Sequence, residues 1–540
     1  MLTAAQRKWS LGWGFAAFGG IAFFVGAAIA ALLLWDSGAA GGQFFTPYTW
    51  QILRFTLWQA ALSTILSILS GLPVALALAR RPKFLGRIWI VRLMALPMGL
   101  PVLIGALGLI GIWGRQGIIN NTLLTLGVEQ PISIYGLSGI LIAHVFFNMP
   151  LAARLLLAAL ERLPAEYWLL SSSLGMKPLS VFRFVEGPAT LRVLPGVAGL
   201  IFMLCATSFT LVLVLGGGPA ATTLEVAIYQ SLRFDFDPPR AIALSFLQIG
   251  ITAIILAVIS TLPKPDDDEN LHGRASRRFD GRTAGARSWD AVIILFATAF
   301  LVLPLASIVA SGIQADLWRL FKSPAFHQAA LTSFAIAVAA GLLSVATSVA
   351  IVVAQEAIDD MKRPGAGARA FAATLGGMGS LVLLVPPVVL GTGWFLTLRS
   401  LGDVNRFAPV LIVIINALMA LPFVMRVLSP AMATHRRRTA RLSASLGLSG
   451  ISKLMRIDLP PLAKPLLTSL SFAMALSLGD LGAVALFGSS ELTTLPWLVY
   501  SRLSSYRTND ADGLALLLGL FCLLLTMLGT AGRERHHQDE

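Results

Sequence analysis

Few residues in this chain are placed for covalent chemistry. The two cysteines, Cys205 and Cys522, each lie inside an apolar run, so neither a disulfide framework nor a metal set is indicated, and packing roles are expected for both. His144 falls in another apolar run and is likewise read as a helix-packing residue. The triplet Gly216-Gly217-Gly218 lacks the lysine a phosphate-cradling loop requires. The acids Glu225, Asp235, Asp237, Glu491, Asp510 and Asp512 lie in polar connections and read mostly as solvated. Asp480 is different, because it sits between Gly479 and Leu481 well inside an apolar stretch. A carboxylate at the centre of a lone membrane helix costs about 2.5–3.5 kcal/mol to insert, so it must face a partner or a cavity. Two readings stand open: a structural carboxylate hydrogen-bonded between helices, and a charge on a pathway for a cation. No catalytic residue, resident cofactor or metal is expected.

The strongest pattern is a pair of similar polar segments. Ser171–Pro188 reads SSSLGMKPLSVFRFVEGP, and Ser443–Pro460 reads SASLGLSGISKLMRIDLP. Each carries a Leu-Gly pair (Leu174-Gly175, Leu446-Gly447), a β-branched residue ten positions after the glycine (Val185, Ile457) and a proline thirteen after it (Pro188, Pro460). The first copy reads as a polar helix from about Pro164, ended by Gly175 in a left-handed cap. Pro178 then starts a second short helix, and Pro188 is expected to end it. The second copy has Gly450 near the restart, closes on Pro460-Pro461, and is more basic through Arg436, Arg437, Arg438 and Arg441. Two copies with the same internal spacing point to two docking surfaces for a soluble partner.

The elements that must position these segments are membrane helices. The chain has 540 residues, of which 56% are hydrophobic and 13% charged. Its mean hydropathy is +0.78, and ordinary soluble domains carry about 25% charged residues. Apolar runs long enough to cross a bilayer recur throughout, and the alternation of an outer-membrane barrel is absent. Twelve spans are expected, at about 11–35, 55–78, 88–113, 134–157, 193–215, 241–262, 290–312, 330–354, 374–397, 407–430, 465–487 and 513–531. The first is too long for a signal-peptide core, and prolines 97 and 101 are expected to kink the third. The net charge of +14 follows the positive-inside rule rather than a nucleic-acid partner, because 31 of the 41 lysines and arginines fall in the segments assigned to the inner side. Both termini are then cytoplasmic, and the segment Gly114–Pro131 becomes an outer loop.

The halves repeat. At an offset of 272, His144, Pro150, Arg154, Gly175, Val185 and Pro188 fall on Asn416, Pro422, Arg426, Gly447, Ile457 and Pro460. At 271, Gly217, Thr222, Thr223, Leu224 and Tyr229 fall on Gly488, Thr493, Thr494, Leu495 and Tyr500. Both copies have the same inside-out sense, which implies a pseudo-two-fold axis along the membrane normal and a pathway between the halves. The expected organisation is an N-terminal span and outer loop (1–50), a first repeat (51–262), a cytoplasmic linker (263–289), span seven with its outer loop (290–329), a second repeat (330–532) and a tail (533–540).

The G-x(9)-[IV]-x-x-P pattern resembles the cytoplasmic motif of ATP-binding-cassette importer permeases, in which a short coupling helix seats in a cleft of the ATPase subunit. The glutamate that opens the family motif, six positions before the glycine, is replaced by Leu169 and Arg441. Longer strings resemble the fused two-half permease of bacterial thiamine and thiamine-pyrophosphate importers. They include YGLSGILIAHVFFNMPLAARLLLAALE from Tyr135, IFMLCATSFTLVLVLGGGPAATTLEVAIYQSL from Ile201, LSLGDLGAVALFG from Leu476 and TLPWLVYSRLSSYR from Thr494. The resemblance implies an all-α polytopic type I importer fold of about twelve spans in two parallel six-helix repeats, in a bacterial inner membrane. It implies that Leu174, Gly175, Val185, Pro188, Leu446, Gly447, Ile457 and Pro460 form the ATPase-coupling loops, with Asp480 a candidate pathway residue. The chain has no G-x-x-x-x-G-K-[ST] loop, so hydrolysis falls to a separate ABC ATPase, in two copies on the cytoplasmic side. A periplasmic binding protein would deliver cargo to the outer face, where it would meet the outer acids, and lipid surrounds the spans. A permease of the same family for ferric iron, a polyamine or sulfate, and an ion-coupled secondary transporter, remain as alternatives.

Overall fold

The computed structural model describes residues 4–35, 46–128, 132–261, 278, 283–361, 364–382, 384–402, 404–445, 454–488 and 492–530. Among these no strand occurs, and eleven helices are long and apolar enough to cross a membrane. The helices group into two units, one formed by 44–227 with 250–314, the other by 1–43, 228–249 and 315–540.

In the first unit, α2 (Pro47–Arg80) begins on Thr46, whose hydroxyl accepts from the Thr49 amide, with Pro47 in the first helical position. The short helices α3 (Arg87–Leu93), α4 (Leu96–Gly99) and α5 (Val102–Trp113) occupy the expected third span. Pro97 and Pro101 break that span rather than kink it, since each removes a helical donor and sits where a new helix starts. Part of the expected outer loop is helical, as α6 (Ile118–Thr125). The buried Asn120 side chain secures it by donating to the carbonyls of Gly114 (2.7 Å) and Ile132 (2.9 Å) and accepting from the Ile132 amide (2.8 Å). α7 (Leu137–Glu161) runs along α2. After α8 (Ala165–Ser173) and α9 (Pro178–Val181), α10 (Gly187–Ala206) packs on both. Their shared core is Ala60, Leu151, Ala152, Val197, Ile201 and Cys205, so Cys205 is indeed a packing residue. α11 (Thr210–Leu215) follows a break, and α12 (Leu224–Arg233) and α13 (Pro238–Thr261) are shared between the units. α14 (Ala284–Gln314) packs on α5 and α2.

The second unit contains α1 (Ala4–Leu34), α15 (Leu317–Lys322), α16 (Pro324–Asp359), α17 (Ala366–Val382), α18 (Pro387–Leu401), α19 (Val404–Ser445), α20 (Leu459–Gly479), α21 (Gly482–Phe487), α22 (Leu495–Ser504) and α23 (Thr508–Thr530). The expected ninth span divides into α17 and α18 ahead of Pro386-Pro387, which is why the number of long apolar helices is eleven. Val352, Ala420, Val424, Leu428 and Ala473 make the core between α16, α19 and α20. Helix α1, although it precedes the first repeat in sequence, packs on α16 and α18 of the second. Helix α14, which precedes the second repeat in sequence, packs on helices of the first.

Both exchanged helices are received on bare backbone. A Cβ at Gly108 of α5 would overlap the Pro304 carbonyl of α14, and one at Gly393 of α18 would overlap the Ala28 carbonyl of α1. Small residues allow such approaches where lipid offers no hydrophobic drive to helix association. Gly108→Leu or Gly393→Leu is therefore expected to destabilise the detergent-solubilised protein by about 1–3 kcal/mol. Gly19→Leu, at a position with open space around it, serves as the neutral control in the same thermal melts.

Candidate functional site

The first polar segment folds as a compact helix–turn–helix. α8 starts on Pro164 and ends in a turn in which Gly175 adopts φ +59°. The Met176 amide donates to the Ser171 carbonyl at 3.0 Å and the Gly175 amide to the Ser172 carbonyl at 3.1 Å, so the left-handed glycine lets the chain satisfy the helix's last carbonyls. Pro178 opens α9 as expected. Pro188 does not close a helix. The chain passes from α9 through a π-helical turn, Phe182–Glu186, directly into α10, with the Gly187 amide donating to the Phe182 carbonyl. One extra residue in that turn makes room for the Pro188 ring and absorbs its missing donor.

The second segment repeats the device. A π-helical turn at Leu454–Asp458, 272 residues after the first, leads into α20 with Pro460 in its first turn. Val185 and Ile457 lie inside these turns. Leu446 and Gly447 lie outside the described residues, so no geometry is assigned to them.

Each π turn ends in an acid that the sequence reading overlooked, although VEGP and IDLP align at the same offset. Glu186 Oε1 is 2.6 Å from Arg278 Nη2, with both side chains buried. Asp458 Oδ1 is 2.9 Å from His435 Nε2 of α19. Trp168, Ser171 and Val181 face inward, while Tyr167, Leu169, Leu170, Leu174, Leu179 and Phe184 are exposed. An exposed apolar patch of that kind suits contact with a protein partner or with lipid. In the second copy Met455 is exposed.

Matched breaks interrupt the helices that follow. α10 stops at Thr207 before α11, and α20 stops at Asp480 before α21. The Asp480 carboxylate accepts from the amides of Gly482 (3.1 Å) and Ala483 (3.2 Å), which satisfies donors at the start of α21. The next helices start alike: the Leu224 amide donates to Thr56 Oγ1 at 3.1 Å and the Leu495 amide to Ser333 Oγ at 2.8 Å. The repeat-related His144 and Asn416 are both bonded across helices, to Ser63 Oγ (2.8 Å) and Ser477 Oγ (2.9 Å). Within the second unit Arg233 donates to the Gly488 carbonyl at 2.7 Å. Burial pushes the Tyr229 phenol up to about 12, nearby Tyr500 adding to the rise, so the repeat-related tyrosines stay protonated at neutral pH.

The acids expected to be solvated divide. Glu225 is buried, at 1% exposure, a correction that follows from its place in the first turn of α12 beneath the capped Leu224. Asp237 caps α13 by accepting from the Arg240 amide (3.2 Å), Asp235 pairs with Arg240 (3.5 Å) and Asp510 pairs with Arg319. Asp512 is partly buried in α23, and Glu491 lies outside the described residues. Among the described residues no cluster of metal-ligating side chains occurs.

Comparison with known proteins places this geometry in a family. The family model for the binding-protein-dependent transport system inner membrane component matches twice, over residues 71–262 and 368–538. The thiamine transport system permease protein ThiP of Brucella abortus (strain 2308) is 46% identical over 513 residues, covering 94% of this chain and 93% of that protein. The protein of that name in Escherichia coli (strain K12) is 40% identical over 490 residues, 88% of each chain. That of Haemophilus influenzae is 35% identical over 509 residues, 94% of this chain and 93% of its own. Two family matches fall on the two repeats, and each contains one of the π-turn segments. The chain belongs to the binding-protein-dependent transport system inner membrane components, the permease subunits of ATP-binding-cassette importers, with two permease repeats fused in one polypeptide.

Proposed function

We propose that this permease carries thiamine, its phosphate esters or both across the bacterial inner membrane by alternating access, driven by a separate ATPase. The observation that carries the reading is the near-full-length match to relatives that bear the thiamine transport name, in a chain with two π-turn segments 272 residues apart. Two copies of the ATPase would dock on the cytoplasmic side, one on each segment, and a periplasmic binding protein would present cargo at the opposite face. Hydrolysis belongs to the partner subunit, and both termini of this chain are cytoplasmic. On this reading Leu174, Gly175, Val185 and Pro188 build the first coupling loop. Leu446, Gly447, Ile457 and Pro460 build the second. The exposed apolar side chains of α8 supply contact area, and the rigid passage through the π turn into α10 carries movement into the membrane.

The cargo carries a cationic nitrogenous ring, to which the esters add anionic phosphate. Asp480 lies at one of the two helix breaks, and we assign it the cap of α21. A cation-attracting charge is the competing role, and substitution separates the two. Asp480→Asn keeps an acceptor for the Gly482 amide and removes the charge.

Three outcomes are expected in reconstituted vesicles. Labelled thiamine or thiamine pyrophosphate enters only when ATPase, binding protein and ATP are all present; uptake driven by an ion gradient through this chain alone would overturn the class. Gly175→Arg, which puts a bulky side chain on a left-handed residue in the docking turn, weakens ATPase association about 30-fold, and association equal to wild type would remove this segment from the interface. Asp480→Asn keeps uptake within about threefold of wild type, whereas Asp480→Ala loses about 1 kcal/mol of stability through the missing cap. A loss of uptake in Asp480→Asn with stability intact would assign the charge to the pathway instead.

A further inference from the structure

Between α13 and α14, the described residue Arg278 packs against the first proposed coupling segment. Arg278 reaches Glu186 at 2.6 Å, and its guanidinium carbon lies 3.9 Å from the centre of the Trp168 ring. The side chains of Arg278 and Glu186 are 5% and 4% exposed. Trp168 is also buried, on the inner face of α8, opposite the exposed Tyr167, Leu169 and Leu170. One planar side chain therefore touches α8 through an aromatic face and the root of α10 through a carboxylate. This is the use for which arginine, rather than lysine, is suited.

Along the chain, α8 is joined to α10 through the Gly175 turn, the four-residue α9 and the π turn. A left-handed glycine between two short helices is a ready hinge. A partner pushing on the outer face of α8 would spend its displacement in that hinge. With Arg278 in place, Trp168 and Glu186 are held to one rigid group, and displacement of α8 becomes displacement of α10.

The second copy is built differently. Asp458, the counterpart of Glu186, is held by His435 from α19, the long helix that leads into the segment. Arg436 beside it donates to the Glu356 carbonyl at 2.6 Å and pairs with Asp360 at 3.0 Å, both at the end of α16. That segment is tied by its own half. The first is tied by the connection between halves.

We propose that Arg278 is a positioning residue for energy coupling, a pin by which the inter-repeat linker locks the first ATPase-docking helix to the transmembrane helix it must move. The proposal rests on the docking reading above. It adds that the two coupling segments respond unequally, because one of them depends on the linker.

The test uses the full transporter, with its ATPase and thiamine-loaded binding protein, in proteoliposomes. The readout is the ratio of binding-protein-stimulated to basal ATP hydrolysis, measured alongside the amount of ATPase that co-purifies. Arg278→Ala is expected to lower the ratio about fivefold or more while ATPase co-purifies as in wild type. Glu186→Gln does the same, the double variant is no worse than either single one, and Arg278→Lys recovers part of the loss. A ratio within about twofold of wild type in Arg278→Ala, or losses that multiply in the double variant, would overturn the pin. Should Arg278→Ala fail to assemble, a chain severed near residue 270 gives the second reading. Arg278 remains joined to α14 in that chain, so coupling persists; its loss on cutting would show that continuity of the linker, rather than Arg278, does the work. Association that survives Gly175→Arg defeats the docking reading itself. Loss of association there, with an unchanged ratio in Arg278→Ala, defeats only the pin.

Discussion

A polar backbone group left unpaired in the bilayer core costs several kcal/mol, and this constraint governs how the permease can interrupt its helices. The chain breaks or restarts helices repeatedly in and beside its apolar runs, and several of these sites come with their own partner. Asp480 takes two amides at the start of α21. Thr56 and Ser333 take the first amides of α12 and α22. Pro97 and Pro387 stand in first turns and Pro101 at an N-cap, where a missing donor costs little. Only with such local satisfaction can half-helices exist in lipid, and half-helices are what give a transporter segments that move separately.

The same economy explains the π turns. Each proposed coupling segment leads into a long apolar helix across a proline. A π turn just ahead of the proline preserves continuity where an α-helix would break. The turn recurs at Phe182–Glu186 and at Leu454–Asp458, so both segments keep the helix continuous at the same repeat position. The acids that end them are then tied off by different partners, Arg278 and His435. The repeat conserves the stiff strut and varies what braces it.

Much of this was legible in the sequence, since glycine and proline carry their conformational limits with them. The left-handed Gly175 and the restart at Pro178 followed from residue type alone, and the offset of 272 fixed the pairing of the segments. The role of Pro188 was misread because the rule that proline ends a helix takes no account of a π turn placed to receive it. The third and ninth spans were drawn as continuous because hydropathy ignores a proline within an apolar run. Glu186 with Arg278 was invisible for another reason: a contact across 92 residues leaves no local periodicity. Glu225 was placed among solvated acids because polarity was used to infer exposure, and the fold buries it.

The central claim is that the two π-turn segments are the surfaces on which the ATPase acts. Single-cysteine cross-linking tests it most directly, because the native Cys205 and Cys522 are buried and leave the background clean. Cysteines introduced at Leu174, exposed at the end of α8, and at Met455, exposed in the second π turn, should each cross-link to the ATPase subunit. One at Trp318, exposed on α15 at the far end of the long α16, should not. Cross-linking from Trp318 with none from Leu174 or Met455 would contradict the account.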